Sequence, residues 1–244
     1  MVERRWAVIP AAGHGERFGG RVAKQYATLL GRPVLSWSLA ALLAERSIAG
    51  VVVALAPGDR RFRRLAEAAD PRVRTCRGGV RRELSVASAL DALAGEARDE
   101  DWVLVHDAVR PCLCHGDLQA LIRAAGHDPI GGLLATPLGD TLKSEGPDGR
   151  SARTVPRAGL WRALTPQMFR YGVLRRALAL CLERDRAVTD EASAVEALGL
   201  APMLVRGRAD NIKVTHPEDR ALATAILEAG AKHENRPRLR RPRV

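Results

Sequence analysis

Arg5-Trp6-Ala7-Val8-Ile9-Pro10, followed at once by Ala11-Ala12-Gly13-His14-Gly15-Glu16-Arg17-Phe18-Gly19-Gly20, is the stretch on which the reading of the fold turns. A short apolar run that ends in a glycine-rich loop reads as a buried first strand delivering a functional loop. Backbone N–H groups in such a loop can close on a phosphate. Two familiar versions fail here. A dinucleotide fingerprint needs a third glycine where Phe18 stands, and a Walker loop needs a Gly-Lys-Ser/Thr that is absent. What remains is a glycine loop carrying Arg17, with Lys24 seven residues on. Two cations beside a phosphate cradle suit a triphosphate, although both residue types also occur on ordinary solvated loops.

Working outward, Gly50–Ala56 (GVVVALA) is apolar throughout, as expected of a parallel strand covered on both faces. Trp102–His106 (WVLVH) is a second such run, Gly131–Thr136 a third, and Arg72–Cys76 a short strand. Helices are predicted over Pro33–Arg46, Asp59–Ala69, Arg82–Leu93, His115–Ala125, Tyr171–Leu182, Thr189–Leu198 and His216–Glu228. Met203–Val205 and Ile212–Val214 read as short strands. This alternation predicts an α/β fold with a doubly wound, mostly parallel sheet. Ligands then belong beyond the carboxyl ends of the strands, where the loops after Pro10 and His106 emerge. The rhythm breaks between Asp140 and Leu160, which reads as a projecting β-arm at about residues 140–157. An isolated two-stranded arm is marginal in water, so it is expected to pack on a second copy of the chain, giving a homodimer.

The 244 residues fit one domain over about residues 1–231. Aromatic residues are only 4%, so the core must rest on Ala, Val and Leu. The net charge of +11 is unevenly spread: Lys232–Val244 holds six Lys or Arg against one Glu and reads as a disordered basic tail. A basic folded part suits a nucleoside triphosphate and equally suits nucleic acid, but no nucleic-acid recognition motif is present. Removing the tail separates the two: an enzyme keeps its turnover, a nucleic-acid binder loses affinity. Cys76, Cys112, Cys114 and Cys181 make no zinc pattern and read as reduced thiols of a cytoplasmic protein. Nothing reads as a signal peptide or spanning helix.

Further motifs follow in order: Gly78-Gly79 with Arg82 and Ser85-Val86, then Val103-Leu104-Val105-His106-Asp107-Ala108-Val109-Arg110-Pro111. After these come Asp140-Thr141, Arg157, Leu164-Thr165-Pro166-Gln167, Thr189–Ser193 (TDEAS) and Asp210–Thr215 (DNIKVT). With the first loop and its Lys24-Gln25, the set resembles nucleotidyltransferases acting on sugars and polyols, and most closely the 2-C-methyl-D-erythritol 4-phosphate cytidylyltransferase family. The likeness runs from about Trp6 to about Glu228. It implies transfer of CMP from CTP to a polyol phosphate with release of pyrophosphate, assisted by Mg²⁺ or another divalent cation. Another acceptor, such as ribitol 5-phosphate, would use the same site physics. Some members carry a fused second enzyme, and a single activity is expected at this length.

By that resemblance Arg17 and Lys24 are the catalytic cations. Pro10, Ala11, Ala12, Gly13, Gly15, Gly79, Arg82 and Ser85 bind the nucleotide, with cytosine read by backbone groups at Ala11–Gly13, Gly79 and Ser85. Arg157, Lys213, Asp107, Arg110 and Thr141 position the acceptor, Arg157 from a neighbouring subunit. The metal is expected on the CTP phosphates, with Asp107 nearby. Val80 departs from the family pattern, where an acidic residue is frequent. On their own, Asp107 reads equally as a turn or cap residue, Lys213 as a strand-end lysine and Thr189–Ser193 as a helix start. The reaction explains why no Ser/His/Asp or Cys/His constellation is needed: the attacking phosphate oxygen is already anionic.

Overall fold

The computed structural model describes residues 3–13 and 23–234. Arg17, Gly15 and the end of the basic tail lie outside the described residues.

The elements in chain order are β1 (Arg5–Ala11), β2 (Thr28–Leu29), β3 (Arg32–Pro33), α1 (Val34–Leu43), β4 (Ile48–Leu55), β5 (Val73–Arg77), α2 (Arg82–Asp91) and β6 (Trp102–Val105). They continue with α3 (His115–Ala125), β7 (Gly131–Pro137), β8 (Leu142–Glu145), β9 (Ser151–Val155), β10 (Trp161–Arg170), α4 (Tyr171–Glu183), α5 (Glu191–Glu196), β11 (Met203–Arg206) and α6 (Asp219–Glu234). Seven strands form one sheet in the order β11-β7-β10-β6-β1-β4-β5. β1 runs parallel to both β4 and β6. The chain winds from β1 outward through β4 and β5 on one side and then returns to place β6 on the other. The switch point therefore falls between β1 and β6, where a doubly wound sheet opens its ligand crevice.

Period-2 alternation sorts the core onto two faces. Ala7, Ile9, Val51, Val53, Trp102 and Leu104 pack with Leu35, Leu39 and Leu42 of α1 and Leu118 and Leu121 of α3. Trp6, Val8, Val52, Ala54, Val103 and Val105 pack with α2, α4 and α5 on the other side. Both faces are covered, which is why these strands read as unbroken apolar runs. Among the described residues no helix is long and apolar enough to cross a membrane.

Three expectations need correction. Asp59–Ala69 is not a helix but two 3₁₀ turns, Phe62–Arg64 and Ala66–Ala69. Asp59 accepts bonds from the N–H groups of Arg61 and Phe62, but only Phe62 and Leu65 are buried, with Ala68 partly so, and a longer helix has little apolar face to cover. Ile212–Val214 is extended but joins no sheet; Val214 N–H donates to Val109 C=O at 2.8 Å, and its side chain packs with Leu29, Val34 and Ala223. Asp190, not Thr189, caps α5, in a reciprocal capping box with Ser193.

The sequence reading also missed β10, a ten-residue antiparallel strand between β6 and β7. Pro166 in its middle argues against a central strand, because proline gives no ladder donor. The register with β7 breaks between Ala163 and Gln167, and that irregularity accommodates the proline.

β8 and β9 pair only with each other in an antiparallel ribbon, turned at Gly149 with φ +73°. No residue from Leu142 to Val155 is buried. The ribbon is the expected arm.

Candidate active site

The carboxyl ends of β1 and β6 present the site. Gln25, buried after Lys24 in a 3₁₀ turn, donates from Nε2 to the carbonyls of Ala11 (2.9 Å) and Gly13 (3.1 Å). Tyr26 donates its hydroxyl to Asp59 Oδ2 at 2.7 Å and holds the same turn from the other side. Lys24 is thereby set at the rim of a cleft lined by Ala11, Ala12, Gly13, Gly79, Ser85 and Lys213, among others. Glycine at 78 is a packing requirement: a Cβ there would lie 2.5 Å from Ala12 Cβ and 3.0 Å from Ser85 Oγ. Ser85 Oγ accepts from Gly79 N–H at 3.1 Å and pins this turn to the start of α2. Val80, 97% exposed, stands at the cleft mouth with no polar atom on its side chain.

Asp107 is the centre of the arrangement. Its Oδ1 accepts from Arg82 Nε at 2.9 Å, its Oδ2 from Lys213 Nζ at 2.9 Å, and Arg110 Nε lies 3.5 Å from Oδ2. The last is an ion-pair contact without hydrogen-bond geometry, and Arg110 spends Nη1 on the carbonyl of Asn211 at 2.7 Å. Burial pushes the Asp107 carboxyl up, but Arg82, Lys213 and Arg110 together outweigh it and hold the group well below the usual carboxylate range. Arg82 in turn is gripped bidentately by Glu191, at 2.6 and 3.0 Å. Burial opposes the charge of that guanidinium, yet Glu191 and Asp107 keep it protonated.

A second cleft opens on the other side of the same cluster, lined by Arg110, Thr165, Gln167, Thr189 and Asp190. Arg82, Asp107 and Lys213 line both clefts. Gln167 Nε2 donates to Asp190 Oδ2 (2.8 Å) while its Oε1 accepts from Ala192 N–H (2.7 Å), fixing the start of α5 against β10. A larger groove of about 430 Å³ lies between α2 and α4, lined by Leu90, Leu178, Leu182 and Arg175. We assign the site to the smaller clefts because the buried, oppositely charged cluster of Arg82, Asp107 and Lys213 lines both.

His106 supports the cluster from behind. It is fully buried; Nε2 lies 3.1 Å from the carbonyl of Arg110 and Nδ1 lies 2.9 Å from Thr165 Oγ1. A carbonyl only accepts, so Nε2 carries the proton and Nδ1 accepts the threonine hydroxyl. Thr165 Oγ1 then accepts from Asp107 N–H at 3.1 Å. Burial lowers the imidazole pKa to about 4. An unfolded histidine titrates near ~6.5, so between these values the unfolded chain binds a proton that the folded chain refuses. Folding stability is therefore expected to fall as pH drops from about 6.5 to about 4, by on the order of 3 kcal/mol. Asp107, with a depressed pKa, keeps its contribution above its ordinary value and loses it only at lower pH. Urea unfolding at several pH values checks this, and His106→Gln should flatten that part of the profile. An unchanged slope in the variant would assign the acid sensitivity elsewhere.

Of the residues singled out in the sequence, Pro10, Ala11, Ala12, Gly13, Lys24, Gly79, Arg82, Ser85, Asp107 and Lys213 line one cleft, and Arg110 joins the last part of it from the second. Thr141 and Arg157 do not meet them: both are exposed, in or beside the arm. Gln25, Glu191, His106 and Thr165 were read only as members of motifs, with no role of their own. For Glu191 the sequence offered a helix start that the family likeness turns toward the acceptor, but not its partner Arg82, which lies 109 positions away.

A metal held by protein alone does not fit here. Among the described residues no three His, Cys, Asp or Glu gather as ligands, and the Asp107 oxygens are committed to cations. A divalent ion would have to come with the nucleotide phosphates.

The family model for 2-C-methyl-D-erythritol 4-phosphate cytidylyltransferase (IspD) matches residues 6–229. The protein of that name from Dechloromonas aromatica (strain RCB) is 51% identical over 228 residues, 93% of this chain and 98% of that one. The one from Pseudomonas putida (strain GB-1) is 53% identical over 215 residues, 88% and 92% of the two chains. Among solved structures, a 4-diphosphocytidyl-2C-methyl-D-erythritol synthase superposes with TM-score 0.82 at 38% identity, covering 93% of this chain and 100% of the other. The cytidylyltransferase from Thermus thermophilus gives TM-score 0.76 at 33% identity over 93% of this chain and 100% of its own. Fold, cleft and sequence agree, and the chain belongs to the 2-C-methyl-D-erythritol 4-phosphate cytidylyltransferase family.

Proposed function

We propose that the chain transfers CMP from CTP to 2-C-methyl-D-erythritol 4-phosphate, giving 4-diphosphocytidyl-2-C-methyl-D-erythritol and pyrophosphate. The observation that carries this reading is the sharing of Arg82, Asp107 and Lys213 by two clefts. One cleft has the glycine backbone and small residues that suit a nucleotide; the other has the polar wall that suits a phosphorylated polyol. Their junction is where an acceptor phosphate oxygen meets the α-phosphorus.

The acceptor oxygen attacks that phosphorus and the bond to the pyrophosphate oxygen breaks. The incoming phosphate is anionic, so no proton need be removed. His106 is neutral and lines neither cleft, which leaves it a positioning role. Charge accumulates on the α-phosphoryl oxygens and on the departing pyrophosphate, and placed cations stabilise it. Lys24 faces the nucleotide side, and Arg17 joins it by family resemblance. Lys213, 39% exposed, can turn from Asp107 toward the acceptor phosphate, while the better buried Arg82 stays clamped. Asp107 keeps the three cations close together before substrate arrives. A divalent cation such as Mg²⁺, held by the CTP phosphates, would supply charge neutralisation of the triphosphate.

The homodimer is also proposed. An arm with no buried residue needs a covering surface, and Arg157 at its base would reach the acceptor cleft of a second copy. Both substrates are charged and water-soluble, in keeping with a cytoplasmic setting.

The test is pyrophosphate release from Mg–CTP with each acceptor in turn. Release is expected with methylerythritol phosphate and little with ribitol 5-phosphate, UTP or GTP. Equal or faster release with ribitol 5-phosphate would replace the acceptor.

A further inference from the structure

Besides the tail, one short segment carries a large basic excess. Residues 57–82 hold nine arginines against Asp59, Glu67 and Asp70, a net +6, beside +5 in the tail, while residues 1–56 at +4 and residues 83–231 at −4 cancel. Four of the nine are ion-paired: Arg72 with Asp70, Arg74 with Glu96, Arg81 with Glu83, and Arg82 with Asp107 and Glu191. The other five, Arg60, Arg61, Arg63, Arg64 and Arg77, are exposed and make no ion pair with any described residue. Phe62 and Leu65 are buried in the core, which turns Arg61, Arg63 and Arg64 outward.

This ridge lies beside the nucleotide cleft by two separate links. Leu55 pairs with Ala11 on one side and Arg77 on the other, so Arg77 sits two strands, about 10 Å, from the cleft wall. It directly precedes Gly78-Gly79. Asp59, just before Arg60, accepts the hydroxyl of Tyr26, two residues from Lys24. Arg77 is thus about one Debye length from the cleft wall at ordinary ionic strength, close enough for its charge to act on an anion there, and Arg60 opens the rest of the run at the other link.

Resting on the CTP reading above, we propose that Arg60, Arg61, Arg63, Arg64 and Arg77 form an electropositive ridge that draws the nucleoside triphosphate into its cleft without touching the reacting atoms. A triphosphate carries several negative charges and the nucleoside none. The ridge therefore discriminates by phosphate charge and leaves base and ribose contacts alone.

The experiment compares the wild-type chain with a variant carrying R60Q, R61Q, R63Q and R64Q. Calorimetry measures binding of Mg–CTP and of cytidine at about 20 mM and about 300 mM NaCl. The CTP Kd is expected to rise about tenfold in the variant at low salt and under twofold at high salt, with the cytidine Kd and the urea midpoint unchanged. Replacing the same four residues by Glu should deepen the CTP loss. An unchanged CTP Kd, or an equal loss for cytidine, overturns the ridge while leaving the nucleotide reading in place. A wild-type chain that binds no CTP removes that reading and the ridge with it. Tighter binding of a single-stranded dT oligonucleotide than of Mg–CTP, lost in the variant, would overturn it in favour of a nucleic-acid partner.

Discussion

Lys24→Ala is expected to lower kcat at saturating CTP by at least about 100-fold, with the unfolding midpoint in urea close to that of the parent chain. The side chain stands at the nucleotide rim, and the turn that carries it is held by its neighbours, through Gln25 to Ala11 and Gly13 and through Tyr26 to Asp59. The substitution thus removes a charge without releasing the loop. Loss of one preorganised group facing developing negative charge costs roughly 2.7–4 kcal/mol of barrier. Lys24→Arg should recover part of the rate. A kcat within threefold of the parent would take Lys24 out of the mechanism. The same variant tests the shared site. Mixed with Arg157→Ala and allowed to exchange subunits, two inactive preparations should regain about a quarter of parental activity, because half the dimers then hold one intact site of two. No recovery would place Arg157 in its own subunit's site, and full activity of Arg157→Ala alone would place it in none.

Asp107→Asn is expected to cost both stability and turnover. The amide keeps the shape but withdraws the charge around which Arg82, Lys213 and Arg110 gather. Breaking a buried ion pair costs about 3–5 kcal/mol, and the lower end applies here: Arg82 retains Glu191 and Lys213 reaches water. Urea unfolding should read a loss of about 3 kcal/mol. Pairing it with Lys213→Met should restore part of that stability by removing the orphaned charge, yet turnover should stay low because the acceptor phosphate has lost its cation. Recovery of activity together with stability would reduce Lys213 to a structural partner.

The parallel strands were legible because burial on both faces leaves unbroken apolar runs, as at Val51-Val52-Val53 and Trp102–Val105. β10 was not, since Pro166 and its polar neighbours give no such run, and only the sheet partners on both sides make it a strand. Pro10–Gly13, Gly79 and Ser85 were legible as local motifs, and the structure brings them to one cleft. The clamp of Glu191 on Arg82 was not, because nothing local marks two residues far apart in the chain as partners. Arg82 is the clearest case: it lines the cleft as a residue read for the nucleotide, and its bonds through Nε and both terminal nitrogens to Asp107 and Glu191 were not legible.

The amino-acid order by itself determined the α/β class, the glycine loop after the first strand and the cations that a phosphate transfer requires. Those features follow from side-chain period and local backbone freedom, which act over a few residues. Only tertiary structure decided that two clefts meet on Asp107 and that His106 is a neutral buried prop. Each of these depends on which strand ends become neighbours, and that is fixed by long-range packing of the sheet.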